Sequence, residues 1–241
     1  MTASRCLGLI GGLGVGATTF YYEKLVKALE SAGRTPEIVI VHAETARVFE
    51  YVQAGDRDGL AEYLNRYIRR LQAAGADLVA IPAVTPHFCI HELTAISSLP
   101  LLSIFEPLRQ EITERRLLRV AVFGTRFVME SSLFGALAGV EVIRARPAEV
   151  EIIHKTYVEL ASTGKGSAEQ RRILTAIAQT LIARDQAEAV LLAGTDLALL
   201  FEESNAGFPC MDCAALHIRS IADEMIQVAP PSERKEIADG G

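Results

Sequence analysis

Short apolar runs alternate with longer amphipathic stretches along this chain. The runs at 6–10, 38–42, 78–82, 101–104, 120–123, 141–143 and 189–192 are rich in Val, Ile and Leu and carry little polar alternation. A strand covered on both faces has this pattern. Between them, 18–32, 59–74, 113–118, 130–138, 147–163, 168–184 and 213–228 place apolar residues at helical spacing. Strand–helix alternation predicts an α/β fold: mainly parallel, doubly wound sheets with helices on both faces.

The pattern occurs twice. Leu7-Gly8-Leu9-Ile10-Gly11-Gly12, followed by Ala17-Thr18, is echoed by Val120-Ala121-Val122-Phe123-Gly124-Thr125, followed by Met129-Glu130. The run from Ala76 to Thr85 is echoed by the run from Ala187 to Thr195 at nearly the same distance downstream. Repeated order at matched spacing predicts two pseudo-symmetric halves. The first comprises residues 1–104 plus 213–228, the second residues 105–212, and 229–241 has the composition of a frayed tail. Ligands of open α/β sheets bind at the C-terminal strand ends, so a cleft is expected where the two sets of ends meet.

Composition narrows the partners. The net charge of −6 is spread over mixed acidic and basic residues, with no basic patch to hold nucleic acid. No apolar stretch approaches the roughly 18 residues of a membrane span, and the apolar start breaks at Gly11-Gly12, unlike a signal peptide. A soluble cytoplasmic protein is expected, without membrane or nucleic-acid partners. Four cysteines, Cys6, Cys89, Cys210 and Cys213, make no disulfide framework in a chain of 241 residues. Cys210-Met211-Asp212-Cys213 matches C-x-x-C but lacks a second ligand pair, so no metal site is expected.

The chemistry sits at strand ends. Gly11-Gly12-Leu13-Gly14 lies between a strand and a helix, where glycine permits positive φ and close approach of a ligand to Gly12. No Lys follows these glycines, which excludes a phosphate loop of the Walker type, and the acidic partner of a dinucleotide site is poorly placed. Thr85 and Thr195 follow two matching strands, and Thr125 follows a third. A Thr hydroxyl with adjacent backbone N–H groups can hold a carboxylate edge, or simply cap a helix. Two such turns face to face would grip both ends of a small diacid. Arg47 and Arg126 are candidate carboxylate partners. His87, His42 and His217 are candidate acids or bases, each with a purely structural alternative.

These segments resemble the aspartate/glutamate racemase family over most of the chain. The resemblance rests on Gly11-Gly12-Leu13-Gly14 with Ala17-Thr18, on Thr85 with His87, on Gly124-Thr125 with Met129-Glu130-Ser131, and on Gly194-Thr195-Asp196. Asp212 and His217 fall where the family has an Asp and a His. The resemblance implies cofactor-independent proton transfer on a small amino acid or carboxylic acid, and a homodimer. It also implies a cysteine in each half, one removing the Cα proton and the other returning one to the opposite face. Those positions hold Ala83 and Gly194, and Val84 replaces an amide side chain. Cys89 lies about 9 Å too far along a helix. The residues left for proton transfer are Asp196, His87 and Cys213. Two functions follow: altered isomerase or lyase chemistry on a small carboxylic acid, or a catalytically silent protein that binds an amino acid or dicarboxylate.

Overall fold

The structure is a computed structural model that describes residues 5–227. Its first sheet contains β1 (Leu7–Gly11), β2 (Ile38–His42), β3 (Leu78–Ala80) and β4 (Leu101–Leu102), in the order β2-β1-β3-β4. The second contains β5 (Arg119–Phe123), β6 (Glu141–Ile143), β7 (Ala189–Leu192) and β8 (Cys210–Asp212), in the order β6-β5-β7-β8. All of these pairings are parallel. The two sheets therefore share one topology, as the internal echo predicts.

Nine α-helices among the described residues cover the sheets: α1 (Val15–Ser31), α2 (Thr45–Ala54), α3 (Arg57–Ala73), α4 (Ile90–Ile96), α5 (Phe105–Glu114), α6 (Arg126–Glu130), α7 (Pro147–Thr163), α8 (Ala168–Asp185) and α9 (Cys213–Gln227). Local chemistry fixes several of their starts. Asp56 accepts from Gly59 N at 2.8 Å and caps α3. Ser167 and Gln170 exchange side-chain and backbone bonds at 3.0 and 3.1 Å, a capping box that opens α8. Among the described residues no helix is long and apolar enough to cross a membrane.

The pleat of β1 sorts its side chains to two cores. Ile10 joins Leu60, Leu64, Ile68 and Leu71 of α3 on one face. Leu7 and Leu9 join Tyr21, Leu25 and Leu29 of α1 on the other, together with Ile218, Ile221 and Met225 of α9. The last helix thus packs on the first sheet. Gly8 faces α3, where a Cβ would stand 3.0 Å from the Leu71 side chain. Small size here sets how closely helix and sheet approach.

Several elements differ from the pattern-based expectation. The helix expected over 113–118 is α5, which begins at Phe105 and buries Phe105, Leu108 and Ile112. The helix expected over 130–138 is the short α6. After it the chain turns through positive φ at Ser132, Leu133, Phe134 and Gly135, which no α-helix tolerates. The strands expected over 78–82 and 101–104 are shorter, and β8, α2 and α4 are additional. The expected tail over 229–241 and the last residue of the expected helix over 213–228 lie outside the described residues.

Candidate functional site

The turn after β1 is held open by its own hydrogen bonds. Gly12 N donates to Thr18 Oγ1 at 3.1 Å, and Thr45 Oγ1 donates to Gly12 O at 2.7 Å. Gly12 has φ +84° and a Cβ there would lie 2.6 Å from the carbonyl oxygen of Ala43, so only glycine fits. Gly14, with φ +133°, precedes α1 and offers no side chain to cap it.

The cap comes from the other half. Asp196 Oδ1 accepts from Ala17 N at 2.8 Å, and Tyr157 donates its hydroxyl to Asp196 Oδ2 at 3.3 Å. Asp196 is fully buried, which pushes its carboxyl above the usual range, while the two hydrogen bonds oppose that shift. Beside it, Thr195 Oγ1 donates to Pro82 O at 3.1 Å. Thr195 and Asp196 therefore join the two halves.

In front of this joint lies a cavity of about 300 Å³ at the strand ends of both sheets. Its walls are the Gly12–Val15 turn, Thr45, Val48 and Phe49 of α2, Ala83 to Pro86, Thr125, Ala193, and Tyr157, Val158, Ala161 and Ser162 of α7. Thr125 also accepts from Val128 N at 3.3 Å and so caps α6. None of these described lining residues carries a thiol, an imidazole or a charged side chain.

The position of the second expected cysteine is filled by a neighbouring helix of the same half. A Cβ built on Gly194 would stand 2.3 Å from Cε2 of Tyr157. The tyrosine ring occupies the space into which a side chain at 194 would project. Burial pushes the Tyr157 hydroxyl well above its ordinary pKa, and the neighbouring Asp196 adds to that.

Of the residues singled out from sequence, Gly12, Leu13, Gly14, Ala83, Val84, Thr85 and Thr125 line the cavity. The others are elsewhere. His87 is buried beneath the turn, with Nδ1 against Ala83 O at 2.8 Å and Nε2 accepting from Ile104 N at 3.2 Å. Those partners assign a neutral ring with its proton on Nδ1, leaving no free nitrogen for a substrate proton. Burial lowers its pKa to about 4. His217 is held in the same way, between Tyr21 Oη at 3.1 Å and Leu102 O at 3.0 Å. Cys213 is buried at the start of α9 outside the cavity lining, its thiol pushed up by burial and then by Asp212. Arg47 is exposed on α2 and pairs with Glu50 at 2.8 Å. Sequence reasoning missed Tyr157, which has the spacing of a core aromatic in a helix. It also missed Val48 and Phe49, which lie on a helix the pattern does not predict.

Asp212, next to Cys213, yields a pH prediction. Its Oδ1 accepts from Ala214 N at 2.8 Å, and burial lifts the carboxyl to about 7. The folded state thus keeps a proton that the unfolded chain releases near pH 4. Between pH 4 and 7 this group costs about 1.4 kcal/mol of stability per pH unit as pH rises, and the cost is constant above 7. Asp212→Asn is expected to be more stable than the parent above pH 7 by up to about 4 kcal/mol, with the difference vanishing near pH 4. Urea unfolding of both proteins across that range checks this, and a pH-independent difference would refute it.

A sequence model of the Asp/Glu/hydantoin racemase family matches residues 10–221. Solved structures share the fold. A provisional Asp/Glu racemase from Yersinia pestis aligns with a TM-score of 0.78 at 23% identity, over 92% of this chain and 100% of that one. An aspartate racemase homologue from Pyrococcus horikoshii OT3 aligns at 0.74 and 22% identity, over 93% and 100%. The glutamate racemase of Francisella tularensis subsp. tularensis SCHU S4, solved in complex with D-glutamate, aligns at 0.64 and 13% identity, over 95% and 84%. Identities this low establish likeness of fold, while the family match spans nearly the whole described chain: the protein belongs to the Asp/Glu/hydantoin racemase family.

Proposed function

We propose that this family member binds a small amino acid or carboxylic acid in the strand-end cavity and does not racemise it by the two-base route. One observation carries the reading. The cavity lies where the two halves bring their strand ends together, yet Ala83 stands on one side and the ring of Tyr157 covers Gly194 on the other. A Cα proton is too weakly acidic to be exchanged without an aligned base and acid. The groups that remain suit binding. The Gly12–Gly14 turn exposes backbone to a ligand, and the Thr85 and Thr125 side chains border the same space. The Francisella protein of the same fold holds D-glutamate.

A second reading has one observation in its favour. The Tyr157 hydroxyl is the single ionisable group in the described lining, and it is coupled to Asp196 by a hydrogen bond. A proton delivered from that face alone fits a cofactor-independent isomerase or lyase better than a racemase.

Proton NMR in D₂O separates the two. Acidic and neutral amino acids, 2-hydroxy diacids and unsaturated diacids are mixed with the protein in turn. Saturation transfer to one compound with its Cα–H signal intact is the expected result. Loss of that signal, or a new product peak, that Tyr157→Phe abolishes establishes the second reading. Silence across the panel would overturn both.

A further inference from the structure

The walls of the cavity say which acids it accepts. Facing the strand ends are the polar groups: the Gly12–Gly14 backbone, Thr85 and Thr125. From α2 and α7 come Val48, Phe49, Val158 and Ala161, with Val84 beside them, and the hydroxyls of Thr45, Tyr157 and Ser162 on the same helices already donate to Gly12 O, Asp196 and Glu159 O. Each nearby arginine is already engaged. Arg47 pairs with Glu50, and Arg126 pairs with Glu130 and Glu151. A second carboxylate on a bound ligand would meet no counter-charge in the described lining, and a buried unpaired charge is strongly disfavoured.

An independent feature points the same way. The N-terminus of α1 is the natural second anchor for a diacid at this joint. The protein's own Asp196 occupies it, bonded to Ala17 N at 2.8 Å. That carboxylate sits directly behind the cavity wall, where a Cβ on Gly14 would lie 2.8 Å from Asp196 Oδ2. A ligand carboxylate in this corner would face an anion in place of a helix terminus. The cavity volume, about 300 Å³, is at the lower end for small-molecule sites and suits a compact ligand.

We propose that the cleft selects a monocarboxylic acid with a short uncharged apolar substituent, such as an aliphatic 2-amino acid, and rejects dicarboxylates. This rests on the reading of the cavity as the ligand site. The carboxylate lies against the Gly12 turn and the two threonines, and the aliphatic chain lies against Val48, Phe49, Val84 and Val158. Val158 is a specificity determinant at the rim.

Matched pairs test this on the full chain. Norvaline and glutamate have the same carbon skeleton and differ in a methyl against a carboxylate, as do 2-aminobutyrate and aspartate. Both enantiomers of each are titrated while the backbone NMR signals of Val84, Thr85 and Val158 are followed. Norvaline is expected to bind at least about tenfold more tightly than glutamate. Val158→Arg, at a position 43% exposed and so tolerant of substitution, supplies the missing cation and is expected to shift the ratio about tenfold toward glutamate. Glutamate binding the parent as well as or better than norvaline, with cleft signals moving, overturns the selectivity and leaves the ligand site standing. If none of the four compounds moves the cleft signals, the ligand site falls and the selectivity with it.

Discussion

Putting the two cysteines back, as Ala83→Cys with Gly194→Cys, is expected to give a less stable protein that still fails to exchange a Cα proton. Residue 83 borders the cavity and has room for a thiol. Residue 194 does not. A Cβ there would lie 2.3, 2.7 and 2.8 Å from Cε2, Cζ and Cδ2 of Tyr157, well inside any real contact. The ring cannot swing aside cheaply. It is on a helix that buries Ile153, Thr156 and Leu160 around it, and its hydroxyl is tied to Asp196. Overpacking of this kind costs about 3 kcal/mol. The cause can be isolated with a double-mutant cycle. Gly194→Cys is expected to cost about 3 kcal/mol in the parent and less than about 1 kcal/mol in a Tyr157→Ala background, measured by urea unfolding. Equal costs in both backgrounds would show that the tyrosine is not the obstacle. Tyr157, packed from α7 of the same half, thus fills the space that a side chain at 194 would need.

The second large effect is expected from Asp196→Ala. The substitution leaves Ala17 N–H at the start of α1 without its acceptor and Tyr157 without the partner of its hydroxyl. It also removes an acceptor from the positive end of a helix whose Gly14 cannot cap it. One orphaned buried donor costs about 1–3 kcal/mol, and the lost cap about 1 more. A total near 3 kcal/mol is expected, against about 1 kcal/mol for Asp196→Asn, whose amide oxygen still accepts from Ala17. The fast hydrogen exchange that results should appear at the first turn of α1 and at the loops joining the halves. A loss below about 1 kcal/mol for Asp196→Ala would mean that this joint contributes little to stability.

The division between what is legible in the sequence and what is not has physical causes. Strand–helix alternation and duplication are legible because strands such as β1, β5 and β7 are buried on both faces and so are written almost entirely in apolar residues. β8 is not, because it is three residues long and ends in Asp212. α2 buries only Val48 and Val52, two anchors that define no periodicity, yet Val48 forms part of the cavity wall. α5 is displaced in the expectation because Pro107 in its first turn resembles a helix stop. At the site, the turns that follow β1, β3, β5 and β7 are legible from glycine and threonine after an apolar run. The direction of each side chain is not. Thr85 and Thr195 occupy equivalent places, but Thr85 borders the cavity while Thr195 bonds to Pro82 across the joint. Tyr157 leaves no local trace, because its effect on residue 194 arises only when α7 is packed against the turn after β7.

The return of α9 to the first sheet has a consequence for how the chain is made. β5 to β8 and the helices between them run without interruption from Arg119 to Asp212, so that half has all its parts as soon as Asp212 is available. The half that begins the chain does not. Leu7, Leu9, Tyr21 and Leu25 share one core with Ile218, Ile221 and Met225, nearly the whole length of the chain away. On a ribosome the residues of β1 and α1 must wait for α9 to emerge before that core can close. The order of synthesis and the order of completion are therefore reversed between the two halves, and the amino-terminal sheet has an open apolar face for most of translation.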